Sequence, residues 1–289
     1  MTRRFFAPGK VVVVGEYAVV DGAPAVVAAV GIGVGLRWSA ADTREVQTPY
    51  GDTRFVDAAL DAASAPAGLY AFSDDGGPAL TSKPGLGGSA AATVVAVHAA
   101  RALRGEDTHP DAVYAVASDV HRAVQGSGSG IDVAASTYGG MVRFQQGVRP
   151  TRVMPSRLVV VWTGASAKTG PRVERYLGWE GRAAFVARSA ELTDLFLVDP
   201  LRAVEQDYAL LVAMSVQAGI DYRTPALDRI VELAWVFDGA AKPSGAGGGD
   251  CAIAVFAEPD SEAKFIDSCT SDGFTVLGAE LSDGVRELA

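Results

Sequence analysis

Three glycine-rich stretches and two charged residues hold the chemistry open to this sequence. In KPGLGGSAAA, residues 83–92, glycines run through one serine into alanines. Glycine lets backbone approach a ligand closely, and the first turn of a following helix offers unpaired N–H groups and a positive dipole end. Such a loop can cradle an anion, with Ser89 adding a hydroxyl to phosphate or Mg2+ and Lys83 adding charge. Its spacing fits neither GxxxxGK[ST] nor GxGxxG, and a glycine turn with Ser89 as helix cap accounts for the same residues. In GSGSGID, residues 126–132, Asp132 follows two Ser-Gly pairs. A carboxylate there can take a proton from a substrate hydroxyl or simply cap the short helix behind it. The third stretch, SGAGGGD at 244–250, carries more glycine than a connection into a strand needs, which points to close approach of a ligand or another loop. Lys10, in APGKVVVVGEY, stands at the entrance of the first strand, where a lysine is ordinarily solvent-exposed.

The elements that must position these residues follow from periodicity. The segment 10–20 reads as a buried strand, a bend at Gly15 and a second strand start, and APAVVAAVGIGVGLRWSA and EVQTPYGDTRFV suggest more strands. DAALDAASAPAGLYAF reads as a helix that ends near the Ala-Pro pair and runs into a loop. Helices are expected at 89–105, capped by Ser89 and stopped by Gly105, and at 109–126, with Pro110 in its first turn. A short helix at IDVAASTYG and a strand at GMVRFQQG follow. From about residue 150 the pattern restarts: a strand at 156–164, three helical segments, the third glycine stretch, a strand at 251–257, a helix and a closing strand. The expectation is an α+β chain of two domains, 1–155 and 156–289.

The 289 residues are 49% apolar and 20% charged, enough to bury a core without disulfides or metal. The net charge of −9 disfavours nucleic acid and anionic membrane as partners, though a local pocket can still be basic. Cys251 and Cys269 form neither a CxxC pair nor a His-flanked cluster, so they are read as reduced thiols. MTRRFFAPGK does not read as a signal peptide, and no apolar run reaches the ~20 residues of a spanning helix. A cytoplasmic protein is expected, as a monomer or homodimer.

Taken together, APGKVVVVGEYAVVDGAPAV, KPGLGGSAAATVVA and KPSGAGGGDCAIA resemble, in the same order, the three signature motifs of the galactokinase, homoserine kinase, mevalonate kinase and phosphomevalonate kinase (GHMP) superfamily. The resemblance spans residues 6–257. It implies a β-rich N-terminal domain of ribosomal-protein-like topology, a ferredoxin-like C-terminal domain, and an active site in the cleft between. It further implies ATP with Mg2+ as phosphoryl donor. The ATP phosphates would be wrapped by Pro84, Gly85, Leu86, Gly87, Gly88, Ser89 and Ala90 at the start of a helix. Asp132 matches the family's catalytic Asp, and Lys10 the lysine that pairs with it.

Details lean towards the phosphomevalonate kinase branch. GEYAV resembles that branch where mevalonate kinases carry Gly-Glu-His. VHRAVQGSGSGIDVAAS resembles its His-x-x-x-Gln-Gly pattern, and WTGASAKTG its serine-rich segment after the first strand of the second domain. In mevalonate kinases a metal-binding Glu lies eleven residues before the Asp; that place here is His121. STYGG, by contrast, occurs in mevalonate kinases too. The implied substrate, phosphomevalonate, carries a carboxylate and a phosphate, so its pocket needs several cations. Lys83, Arg122, Arg143, Lys168 and Arg172 are the candidates, with Arg143 and Lys168 preferred and His121 as a further donor. Tyr17, Ser129, Gly130 and Gly247 complete the implied substrate contacts beside Lys10 and Asp132. Where the family usually reads Gly-Leu-Gly-Ser-Ser, Gly88 replaces the first serine, which leaves Ser89 as the only loop hydroxyl for Mg2+ or phosphate. The attacking group would be a phosphate oxygen already ionised at pH 7, so orientation and charge neutralisation matter more than a strong base. Retention of Lys10, Asp132 and Ser89 together argues against a member that has lost catalysis.

Overall fold

The computed structural model describes residues 2–78, 83–126, 128–153, 157–278 and 280–289. The expected domain boundary at 155/156, and Ser127 of the second glycine stretch, lie outside the described residues.

Two long strands, β1 (Thr2–Val14) and β2 (Ala25–Ser39), pair antiparallel and form the spine of a seven-stranded sheet. The connection between them is a 3-10 turn (Ala18–Asp21), not the second strand start expected from its sequence. Gly15 causes this: at φ +97, with Ala25 Cβ 2.6 Å from where its own Cβ would be, only glycine admits so tight a reversal. The far edge of β2 is shared. β4 (Gly68–Asp75) takes its second half and β5 (Met141–Phe144) its first. β3 (Arg44–Gln47) runs parallel to β4, and β6 (Thr151–Val153) pairs with β5. β4 lies where the sequence suggested a loop; its inward Tyr70 and Phe72 alternate with the half-buried Leu69 and Ala71 and the exposed Ser73, the period of a half-buried strand. Of the strand-like stretch 45–56, the first residues form β3 but the last three, 54–56, begin α1 (Arg54–Ala62).

Three helices, α1, α2 (Gly88–Leu103) and α3 (Pro110–Gln125), pack over one face of this sheet, and α4 (Ile131–Tyr138) over the other half of the same face. α2 is apolar on nearly every side and buried from Ala90 to Ala100 with few exceptions, as expected of a helix enclosed by others. Its alanines let the neighbours come close.

The second half follows the order β7 (Arg157–Trp162), α5 (Thr169–Leu177), α6 (Arg182–Phe196), α7 (Pro200–Ala218), α8 (Pro225–Val236), β8 (Ala240–Pro243), β9 (Cys251–Phe256), α9 (Pro259–Ser271) and β10 (Thr275–Gly278). The four-residue β8 is too short to have shown in the sequence. The sheet order β10-β7-β9-β8, all antiparallel, is the fourth-first-third-second arrangement of a ferredoxin-like domain. α8 and α9 cover one face. The other face, with Leu158, Val160, Ile253 and Val255, packs directly against Val11, Val13, Val26 and Ala28 of the first sheet. Each fully buried Val or Leu contributes about 1.5–3 kcal/mol relative to exposure, so the two halves are joined by a shared core. The chain end reinforces this. β11 (Arg286–Leu288), assigned by the sequence to the second domain, crosses back and pairs with Arg4–Phe6 of β1.

Alternation along β1 sorts the faces. Val11 and Val13 point to the second half, whereas Val12, and Lys10 with it, point towards α4. Lys10 is thereby aimed at the N-terminus of α4, the place of Asp132.

Candidate active site

The second glycine stretch in chain order ends at α4, whose first turn carries Asp132 behind Gly130 at φ +85; Ser129 Oγ accepts the N–H of Ile131 at 3.4 Å. The Asp132 carboxylate stands 3.6 Å from Lys10 Nζ. The loop 83–88 passes directly over this pair. Lys10 N–H donates to the carbonyl of Leu86 at 2.9 Å, sewing the loop to β1. Gly9 is required beneath it, because a Cβ there would lie 2.6 Å from the carbonyl of Ile32 and 2.7 Å from that of Leu86. Gly87, at φ +75, packs on the pair itself: its added Cβ would meet the Lys10 side chain at 3.1 Å and Asp132 Oδ2 at 3.2 Å.

Gly87 also begins α2. Its carbonyl accepts from Ala90 and Ala91, leaving the amides of Gly88 and Ser89 without intrahelical partners. These amides, the helix dipole and the Ser89 hydroxyl are the kind of donors that an anion cradle requires. Gly88 faces open space, with nothing within 4 Å of an added Cβ, so nothing steric excludes a serine there. Beyond the loop lies a cavity of about 810 Å3. Gly85, Leu86, Gly87 and Ser89 form one wall, Ile32, Tyr50, Phe55 and Phe72 line the cavity with apolar surface, and Asp52, Asp74 and Asp75 add carboxylates. Lys83 closes its rim, its ammonium 3.8 Å from the centre of the Tyr50 ring.

Of the expected substrate contacts, His121 stands against the loop, whereas Tyr17, Gly247, Arg143 and Arg122 are engaged with other partners. His121 is buried on the loop side, its Nε2 3.3 Å from Ser89 Oγ and its ring 5.1 Å from that of Phe55. Burial pushes its pKa below the ordinary value, against the pull of Asp132. Tyr17 is buried, and its hydroxyl donates to the carbonyl of Ala246 at 2.7 Å. Gly247 is packed against the Tyr222 ring. Arg143 lies on the sheet face opposite Lys10 and pairs with Asp194 of α6 at 3.2 Å. That strand parity was readable in principle, but only once β5 had been registered on β2. Arg122 is exposed, 3.9 Å from Asp119.

Lys168 and Arg172 remain. Lys168 is exposed at the N-cap of α5, and Arg172, one turn on, donates to the Lys168 carbonyl at 2.8 Å and the Asp221 carbonyl at 3.1 Å. Neither has a carboxylate within 4 Å among the described residues. Gly248 makes room for the Arg172 guanidinium, which would otherwise lie 1.9 Å from its Cβ.

The sequence reading missed a second cluster of charges directly below. Lys242, fully buried on β8, contacts Glu16 and stands 3.4 Å from Asp207 of α7. Glu16 also accepts from the amide of Gly245 at 3.3 Å, and Ser244 Oγ both accepts from the Val12 amide and donates to the Val12 carbonyl. The third glycine stretch is thus clamped to the turn after β1. Burial pushes the Asp207 carboxyl up to about 7, with Lys242 pulling it down. Glu16 and Lys242 both lie inside the quoted motifs, and a charge embedded in an apolar run was the available signal. Cys251, a buried thiol whose pKa burial raises, donates to the carbonyl of Pro84 at 3.2 Å.

The chain matches two family descriptions, GHMP kinases N terminal domain over residues 78–140 and GHMP kinases C terminal over residues 201–274. It is 31% identical to the phosphomevalonate kinase of Streptomyces sp. (strain CL190), over 89% of this chain and 90% of that one. It is 29% identical to the mevalonate kinase of Aeropyrum pernix, over 98% and 97%. In fold it is similar to Streptococcus pneumoniae phosphomevalonate kinase in complex with phosphomevalonate and AMPPNP, with a TM-score of 0.79, 20% identity and full coverage of both chains. No helix among the described residues is long and apolar enough to cross a membrane.

Proposed function

This chain belongs to the GHMP kinase family, and from that premise we propose that it transfers the γ-phosphoryl group of ATP to 5-phosphomevalonate. The products are 5-diphosphomevalonate and ADP, a step of the mevalonate route to isoprenoids. The observation that carries this choice of acceptor is the pair Lys168 and Arg172. Both cations lack a carboxylate within 4 Å among the described residues, and Arg172 is held one turn beyond Lys168 by the Lys168 and Asp221 carbonyls. An acid bearing both a carboxylate and a phosphate needs such extra positive charge, whereas mevalonate brings a carboxylate alone.

The cradle at 85–89 holds the ATP phosphates, and the 810 Å3 cavity behind it takes the nucleoside. Lys10 neutralises charge on the transferring group. Asp132, at a helix N-terminus and held by Lys10, orients the attacking phosphate oxygen, which is ionised at pH 7 and needs no strong base. One hydroxyl, Ser89 at the start of α2, and one carboxylate, Asp132 at the start of α4, fit Mg2+ that is held mainly by nucleotide phosphates and water, and bound there it would screen the phosphate charge.

The names of the relatives support a second reading, mevalonate as acceptor, since a mevalonate kinase aligns over 98% of this chain. ADP release measured with each acid in turn separates the two. The expected result is kcat/KM at least ~100-fold higher with phosphomevalonate, about 2.7 kcal/mol of discrimination. Turnover with mevalonate alone overturns the proposal.

A further inference from the structure

Asp250 closes the third glycine stretch and sits between the two loops that must face each other during transfer. Its φ of +54 is left-handed backbone that suits the glycines on its N-terminal side better than an aspartate. A side chain kept there at a conformational cost needs a reason, and its contacts supply one. Oδ1 accepts from the Ala167 amide at 2.9 Å. Oδ2 lies against Gly85, so close that a Cβ on Gly85 would be 2.5 Å from it. The backbone joins the same loop: Asp250 N–H donates to the Ala165 carbonyl at 2.7 Å, and its carbonyl accepts from the Thr163 amide at 3.0 Å and the Thr163 hydroxyl at 2.8 Å. Alongside, the Ser166 hydroxyl donates to the carbonyl of Lys83 at 2.6 Å.

Resting on the reading above, we propose that Asp250 is a positioning residue, a carboxyl tether that sets loop 163–168 against the phosphate cradle. That loop leads into α5 and carries Lys168 and Arg172, so the tether fixes how far the acceptor's cations stand from the donor phosphates. A carboxylate beside an anion cradle would otherwise repel nucleotide. The positive charges of Lys10 and Arg172 lower the Asp250 carboxyl and partly offset that charge. The Asp250 carboxyl is raised by burial and lowered by the Ala167 amide, Lys10 and Arg172, an environment built around this group.

Asp250→Gly and Asp250→Asn in the full chain test this. Glycine accepts the left-handed backbone and removes the tether, whereas asparagine keeps one carbonyl oxygen for the Ala167 amide. Asp250→Gly should lower kcat by ~10- to 100-fold and raise KM for the acid acceptor, with KM for ATP within about twofold. Asp250→Asn should restore most of the loss. Amide exchange at 165–168 should quicken in the glycine variant and not in the asparagine one. Because exchange does not require turnover, it decides the tether even if phosphomevalonate proves not to be the acceptor. Wild-type kinetics and exchange in Asp250→Gly, an equal loss of kcat in both variants, or a fall in Tm with kcat and KM unchanged would each overturn the proposal.

Discussion

Lys10 keeps 3.6 Å from Asp132 with the two side chains 13% and 32% exposed, whereas Lys242 is closed off from solvent between Glu16 and Asp207. The residue types are the same and the surroundings reverse their use. At 3.6 Å the Lys10 ammonium is beyond the ~2.7–2.9 Å of a strong charge-assisted hydrogen bond. It can turn to charge developing on a transferring phosphoryl group at little cost. The Lys242 ammonium has no water to turn to. Removing a partner from such a buried arrangement typically costs ~3–5 kcal/mol, because the remaining charge stays desolvated. On the proposed function, access to solvent, more than charge, separates the lysine that meets the transferring phosphoryl group from the one that holds two motifs together.

The comparison can be broken at either end. The largest effect is expected at the open pair. Asp132→Ala should lower kcat by ~10^2–10^4-fold while nucleotide affinity and Tm hold; calorimetric binding beside steady-state rates checks both. A smaller loss is expected for Gly87→Ala. Its methyl would press on the Lys10 side chain at 3.1 Å, in backbone at φ +75 that costs alanine about 1 kcal/mol. Turnover should drop by ~10-fold, and denaturant unfolding should show the strain.

The smallest effect lies at the closed cluster and is a pH slope. The Asp207 carboxyl titrates near 3.9 in the unfolded chain and at about 7 when folded. The folded state therefore binds more protons between those values, so stability is fully present below ~4 and declines as pH rises towards 7. Asp207→Asn has no such proton to lose. Its unfolding free energy should gain on the wild type by ~1–3 kcal/mol between pH 5 and 8, read from urea midpoints; parallel curves contradict this.

What the sequence revealed divides along the same line. The places of the glycine loop before α2, of Lys10 and of Asp132 were legible because their signals are local. Glycines precede a helix, and a charge sits where a strand or a helix begins. β7, β9 and α2 were legible through unbroken apolar runs. The closed cluster was not, because Glu16, Asp207 and Lys242 meet only after α7 and β8 have packed under the turn that follows β1. Arg143 misled for a related reason. Its nearness in sequence to Asp132 says nothing of sheet face, and strand parity turns it towards Asp194 instead. Tyr17 lies inside a motif yet is spent on a backbone carbonyl. Being near a motif in sequence locates the loop; being near in space decides which of its side chains face the ligand.

The most direct test sets the two lysines side by side, with kcat and the denaturant midpoint measured for Lys10→Met and Lys242→Met. The account predicts that Lys10→Met loses at least ~10^2-fold in kcat at an unchanged midpoint. It predicts that Lys242→Met loses ~3–5 kcal/mol of stability with kcat per folded molecule reduced by less than about tenfold. Retained turnover in Lys10→Met, or lost turnover in Lys242→Met at an unchanged midpoint, would contradict it.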